Sequence, residues 1–178
     1  EDRSAPSLPQ HFEDLGDRWI LSHFNRTKSS VTSALEAYRF DEASRTLYEF
    51  VWNGFCDWYL EMAKVRLTGD DPEARETVQA VLIHVMDGIL RMLHPMAPFI
   101  SEELWQTLPI QGESLMLATW PESDSSRLDE AAEDEIELVQ AVVGAVRNIR
   151  GTMRVPPGRR ADVLLKTESK SAQSILKR

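Results

Sequence analysis

The run His94-Pro-Met-Ala-Pro-Phe-Ile-Ser-Glu-Glu-Leu-Trp105 constrains this chain more than any other stretch, because it sets a helix stop, a rigid corner and a helix restart in consecutive residues. Pro95 has no amide hydrogen to donate and biases the residue before it away from α geometry. Pro98 holds φ near the helical value at the first position of a new helix, where a missing N–H costs nothing. One helix must therefore break at His94, and another can begin at once.

Apolar spacing near 3.6 residues fills in the helices on both sides of that corner. A first helix is predicted from about Asp14 to Tyr38, with Ile20, Phe24, Val31 and Leu35 on its inner face. A second is predicted from about Asp41, its N-cap, to Leu67, with a core stripe of Leu47, Val51, Phe55, Trp58, Met62 and Val65. The third opens with Asp71 as cap and Pro72 at the first helical position, buries Val78, Leu82, Val85, Ile89 and Leu93, and ends at the corner. A short fourth helix covers about Pro98–Leu108, burying Phe99, Leu104 and Trp105. A loop over 109–125 follows, with Met116, Leu117 and Trp120 as candidate pins. The fifth helix runs from about Leu128 to Arg150, with Ile136, Val139, Val143 and Val146 inward. Val155-Pro-Pro-Gly158 then breaks helicity, and Asp162–Lys166 reads as the start of a strand. The expected architecture is mainly α, a bundle of about five helices with a partial α/β C-terminal extension. Its divisions are a linker over 1–13, a bundle over 14–125, and a helix plus the start of a further module over 126–178. With no initiator Met, the chain reads as a piece of a longer polypeptide.

Composition suits a globular chain that folds in water, with 42% hydrophobic and 28% charged residues. No apolar run approaches the roughly 20 residues of a membrane-spanning helix. A single cysteine, Cys56, fits a reducing cytoplasm and reads as small buried filler. No His lies three residues after a Glu, there is no Cys pair for zinc, and no Gly-x-x-x-x-Gly-Lys loop is present. Neither metal nor catalytic chemistry is expected on these residues.

The net charge of −9 weighs against a polyanionic partner until its distribution is read. Val139 to Arg178 carry nine basic and two acidic side chains, a local +7. Within that end Arg147, Arg150, Arg154, Arg159 and Arg160 form a cationic cluster. Arginines at a helix C-terminus also suit the helix dipole without any ligand. On the second helix Asn53, Asp57, Glu61 and Lys64 fall at i, i+4, i+8 and i+11, along one edge beside Trp52, Phe55 and Tyr59. That edge suits a solvated face with a Glu61/Lys64 pair as readily as a binding surface. Tyr38 and Phe40 read as lids on the core, and Arg39 between them is the harder residue to bury. Trp19, Trp58 and Trp105 fall among core positions.

Five ordered segments carry a resemblance: Asp17-Arg-Trp-Ile-Leu21, Tyr38-Arg-Phe-Asp41, Asn53 to Glu61, His94 to Trp105, and Val146-Arg-Asn-Ile-Arg150 with Pro156-Pro-Gly158. Together they resemble the helical anticodon-binding domain of class I aminoacyl-tRNA synthetases, and within that group the valyl enzymes. The resemblance implies a bundle that grips the anticodon stem and loop of tRNA-Val, followed by the first part of a stem-contacting module. It implies Arg39, Asn53, Asp57, Glu61 and Lys64 on the anticodon side and Arg147, Arg150 and Arg154 at tRNA phosphates. Stacking on aromatic rings and hydrogen bonds to base edges are the means by which splayed RNA bases are read, and carboxylates can accept from exocyclic amines. The parent enzyme would use ATP with magnesium on a separate catalytic domain, whose His-Ile-Gly-His-like and Lys-Met-Ser-Lys-Ser-like motifs do not occur here. A monomeric, cytoplasmic protein without membrane contact is expected, with the rest of the synthetase chain as its other partner. Two alternatives stay open: the same domain of an isoleucyl or leucyl enzyme, and a helical protein-interaction module that binds a basic partner.

Overall fold

The computed structural model describes residues 7–110, 112–156 and 158–176. Two compact units meet at the Asp129/Glu130 boundary. Residues 1–6 of the expected linker lie outside the described residues, and residues 7–13 carry no helix.

In the first unit α1 (Leu15–Glu36) starts at Asp14, whose carboxylate accepts from the Asp17 amide and so satisfies one of the free donors of the first turn. Ile20, Phe24 and Val31 of its predicted inner face are buried, and Leu35 is half-buried. Its far end closes with two reversed bonds, Arg39 N–H to the Ala34 carbonyl at 2.8 Å and Tyr38 N–H to the Leu35 carbonyl at 3.0 Å. This is a Schellman closure, and it puts Tyr38 at φ 58°, a left-handed position that usually belongs to glycine.

The predicted second helix is one continuous helix from Phe40 to Thr68, but its middle is wound differently. It is α-helical in α2 (Phe40–Glu49), π-wound with i→i+5 bonding over Phe50–Tyr59, and α-helical again in α3 (Leu60–Thr68). Arg39 rather than Asp41 occupies the N-cap and makes no side-chain capping bond; Asp41 and Glu42 lie in the first turn, where their charge favours the helix dipole. The looser winding admits one more residue to the turn and shifts the inward face by one. Beyond Phe55 the buried residues are Tyr59 and Ala63, whereas Trp58 and Met62 are only half-buried and Val65 is 73% exposed. The expected stripe was drawn at a period that this helix does not keep.

Asp71 caps α4 (Pro72–Leu93) by accepting from the Glu73 and Ala74 amides, with Pro72 opening the helix. Val78, Val85 and Ile89 are buried as predicted, Leu82 and Leu93 half-buried. The helix ends at the corner although His94 keeps α geometry before Pro95 (φ −54°, ψ −42°); the Met96 and Ala97 amides both donate to the Leu93 carbonyl at 2.9 Å, Ala97 leaves the α region before Pro98, and α5 (Pro98–Trp105) restarts on Pro98. The Ser101 hydroxyl donates to the Ala97 carbonyl at 2.8 Å and lies 2.8 Å from His94 Nδ1. Ser101 and Trp105, four residues apart, set the inward face of α5. Phe99 projects from the opposite side, 91% exposed, and Leu104 is exposed at the rim, so two of the three expected anchors of this helix are not anchors. Trp105 packs with Leu90 and Leu115 and donates to Asp87 at 2.7 Å. In the returning loop Leu115 is the pin, while Met116 and Leu117 point to water; Trp120 donates to the Thr32 hydroxyl at 2.8 Å.

The second unit consists of α6 (Glu130–Thr152), an irregular stretch, and α7 (Lys170–Ile175), capped by Ser169. The described residues contain no strand, so the expected α/β extension is corrected to helix and coil. Asp162–Lys166 takes no regular structure, with Leu164 96% exposed. A lone apolar run has no ladder to complete without a second strand, and none is available among the described residues.

Candidate nucleic-acid interface

The long helix of the first unit presents two neighbouring rows to solvent. Because four residues nearly complete a turn in the π-wound stretch, residues four apart line up along the axis, as the buried row Phe55, Tyr59 and Ala63 shows. Phe40, Ser44, Tyr48 and Trp52, at i,i+4 spacing from α2 into the π-wound stretch, are all exposed and form one gently drifting row; Arg45, Glu49, Asn53, Asp57 and Glu61 form the next. Tyr48 is 63% exposed and Trp52 56%, and their rings lie parallel within 4° at 6.3 Å between centroids. Tyr38 and Phe40 meet edge to face at 6.3 Å and are also exposed. These two are therefore not core lids. The left-handed turn at Tyr38 throws its ring outward.

Each predicted residue on this side lies at the surface. Arg39 pairs with Glu42 at 2.9 Å, and Lys64 pairs with Glu61. Such exposed pairs are worth little and open readily to a competing ligand. Asn53 and Asp57 lie exposed on the π-wound stretch between them. Arg39 and Asn53 stand at separate places along one helix, roughly 20 Å apart at 1.5 Å per residue, with the aromatic row bridging the gap. Of the three aromatics expected beside the polar edge only Trp52 is accessible; Phe55 and Tyr59 are core. Tyr48 is absent from the predicted set. Its spacing of four from Trp52, opposite the apolar stripe, is the signal that could have found it.

What holds the π-wound stretch in place is a buried polar knot. The Asp17 carboxylate, fully buried, accepts from the Tyr59 hydroxyl at 2.6 Å and from Arg66 Nη1 at 2.6 Å, and Arg66 Nη2 completes a two-pronged pair. The pairing raises the Arg66 guanidinium above its ordinary pKa, and burial beside the carboxylate pushes the Tyr59 hydroxyl far up, so neither group titrates near neutrality. Tyr59 ends the π-wound segment and Asp17 starts α1, so the knot fixes the register of the exposed polar row against the bundle. Cys56, in the same stretch, is half-buried rather than filler in the core, and burial followed by the Asp57 charge pushes its thiol up, away from nucleophile chemistry.

The arginine cluster belongs to the second unit. Arg147 and Arg154 are exposed and Arg150 is half-buried. Two reversed bonds end α6, Val155 N–H to the Arg150 carbonyl at 2.9 Å and Arg154 N–H to the Gly151 carbonyl at 3.1 Å, with Arg154 at φ 51°. Arg150 Nη2 donates to the carbonyls of Pro156 at 2.8 Å and Arg159 at 3.0 Å. Among the described residues there is no group of three or more His, Cys, Asp or Glu able to hold a metal, and no helix is long and apolar enough to cross a membrane.

Residues 17–165 match the family model of the anticodon-binding domain of tRNA ligases. The chain belongs to that family. It is also similar to the valine–tRNA ligases of Thermotoga maritima, 48% identical over 150 residues, and of Geobacillus stearothermophilus, 42% over 162, which cover 84% and 91% of this chain. With the valine–tRNA ligase of Latilactobacillus sakei it shares 42% identity over 179 residues, 99% of its length. This anticodon-binding domain spans about a fifth of those relatives, 17%, 18% and 20% of their respective lengths. The surface rows lie within the matched region, as do the corner and the arginine cluster.

Proposed function

We propose that this anticodon-binding domain seats the anticodon arm of tRNA-Val for a valine–tRNA ligase, as part of a monomeric cytoplasmic synthetase. The observation that carries the reading is the pairing of an exposed aromatic row with a polar row on one continuous helix. Unstacked bases find flat faces on Tyr48, Trp52 and Phe40, each such stack being worth about 1–3 kcal/mol. Their edges find donors and acceptors on Asn53, Asp57 and Glu61, while Arg39 and Lys64 exchange weak intramolecular partners for phosphate. Binding and positioning are the whole of the domain's chemistry here. Valylation, with ATP and magnesium, is assigned to a catalytic domain of the ligase polypeptide, and no step of it is placed on these residues.

The test is a titration with tRNA-Val transcripts carrying altered anticodons, beside tRNA-Ile and tRNA-Leu, at two salt concentrations. Preference for the valine anticodon at both salts is the expected result. Binding that falls with salt but ignores anticodon sequence would refute base reading, and preference for tRNA-Ile or tRNA-Leu would reassign the enzyme.

A further inference from the structure

Arg150 is bonded differently from Arg154, Arg159 and Arg160, its neighbours in the arginine cluster. Its backbone carbonyl receives the Val155 amide, and its guanidinium donates to the carbonyls of Pro156 and Arg159. The Arg159 amide in turn donates to the Pro156 carbonyl at 3.0 Å, closing the turn from the other side. Arg150 thus ties the end of α6 to Pro156 and Arg159, the two residues whose backbone bond closes this turn; Pro157 lies outside the described residues. Arg154, Arg159 and Arg160 are exposed, and among the described residues none of their side chains has a hydrogen-bond or ion-pair partner. Arg159 and Arg160 line an open groove with Arg150, Gly158, Ala161 and Asp162.

We infer that Arg150 is a positioning residue, not a phosphate ligand, and that by pinning this turn it presents Arg154, Arg159 and Arg160 as one preformed receptor for the phosphodiester backbone of RNA. Unpaired arginines on a floppy segment would lose side-chain and backbone freedom on binding. On a pinned turn part of that ordering is already done. The closed end of α6 places Arg154 in a left-handed conformation that an arginine adopts only when its surroundings enforce it, and the Val155–Arg150 bond is part of that enforcement. Asp162 at the groove lowers its net charge, which favours singly charged backbone phosphates over a free phosphate dianion. Lysine cannot replace Arg150 in this role: its ammonium stops short of the outer guanidinium nitrogen that makes both carbonyl bonds. The inference rests on the RNA-binding reading above.

The experiment measures affinity of the whole chain for a tRNA-Val transcript across a salt series from about 50 to about 200 mM. Replacing Arg154, Arg159 and Arg160 together by glutamine makes the slope of log affinity against log salt shallower by about three, one per lost phosphate contact. Arg150→Lys keeps the charge yet is expected to flatten the slope nearly as much, and to change nothing further in the triple variant. An Arg150→Lys protein with the parental slope, or one whose effect adds to that of the triple variant, overturns the positioning role. Far-ultraviolet circular dichroism matching the parent keeps a folding defect from imitating the expected result. Competition by inorganic phosphate at about the same concentration as the salt's own anions overturns the assignment to RNA backbone. Affinity that is independent of anticodon sequence but shows the expected slopes removes base reading alone and leaves this inference standing, whereas absence of RNA binding at low salt removes both.

Discussion

Substituting Asn for Asp17 removes one charge from the most enclosed polar site of the bundle while leaving its shape nearly intact. The native carboxylate receives two bonds from Arg66 and one from Tyr59. An Asn amide keeps one oxygen as acceptor for the tyrosine and for Arg66 Nη2 but turns an amino group toward Arg66 Nη1, so the Nη1 bond and the charge that pairs with the guanidinium are lost. Charge-assisted bonds are worth about 1.5–3 kcal/mol each, and breaking one partner of a buried pair costs about 3–5 kcal/mol in all. The Arg66 side chain is only 17% exposed, and the alternative acid is Asp14 at 3.3 Å, itself largely in water, which returns about 1 kcal/mol at most. The net loss for Asp17→Asn is therefore about 3 kcal/mol, or roughly a 10 °C fall in Tm for a domain of this size. Urea titration followed by circular dichroism measures it directly, with Tyr59→Phe expected to cost about 1 kcal/mol. An Asp17→Asn loss below about 1 kcal/mol would show that the knot is screened or remade, and would remove the reason given for the register of the π-wound stretch.

Other parts of the structure can be tested in the same way. A methyl at Gly88 would lie 2.4 Å from Cζ of the buried Phe24 ring, so Gly88→Ala is expected to destabilise by about 1–3 kcal/mol, read as a lower urea midpoint at unchanged m. His84 is held at a pKa of about 4 against an ordinary 6.5, by burial first and then by the cations Lys28 and Arg127. The unfolded chain takes up that proton first as pH falls, so stability is level above 6.5, declines between 6.5 and about 4 by about 3 kcal/mol, and is level again below; His84→Gln should flatten that part of the pH–stability curve. Trp52→Ala and Tyr48→Ala, at exposed positions, should leave the unfolding free energy from urea titration within about 0.5 kcal/mol of the parent while weakening tRNA-Val binding by about 1–3 kcal/mol, and unchanged affinity in both would exclude the aromatic row as a stacking surface.

Helix boundaries were legible where the deciding chemistry is local. Asp14, Asp71 with Pro72, and Pro98 each act on the amides of the next turn, so their effect can be written from neighbouring letters alone. The core of α1 and α4 followed because both keep the ordinary period. Past Phe55 that reasoning failed, since the i→i+5 winding is held by Asp17, more than 40 residues earlier in the chain, through Tyr59. Trp58, Met62 and Val65 were placed one residue out of phase as a result. Phe99 shows a different limit: an apolar letter states what burial would favour, not whether a partner surface exists on that side of an eight-residue helix. The strand expected over 162–166 failed for a related reason, because pairing depends on a second segment. The two exposed rows of the candidate interface were half legible. The polar row could be drawn from spacing, while the aromatic row needed to know which rings the bundle leaves outside.

The loose winding between Phe50 and Tyr59 makes residue count, more than residue identity, the sensitive quantity in the middle of the longest helix. Adding or removing a single position there without a compensating change of winding would swing Leu60 to Thr68 by about 100° around the axis. Glu61 and Lys64 would leave the line of Asn53, and Arg66 would turn away from its carboxylate. Related chains can therefore vary the letters of this stretch far more freely than its length.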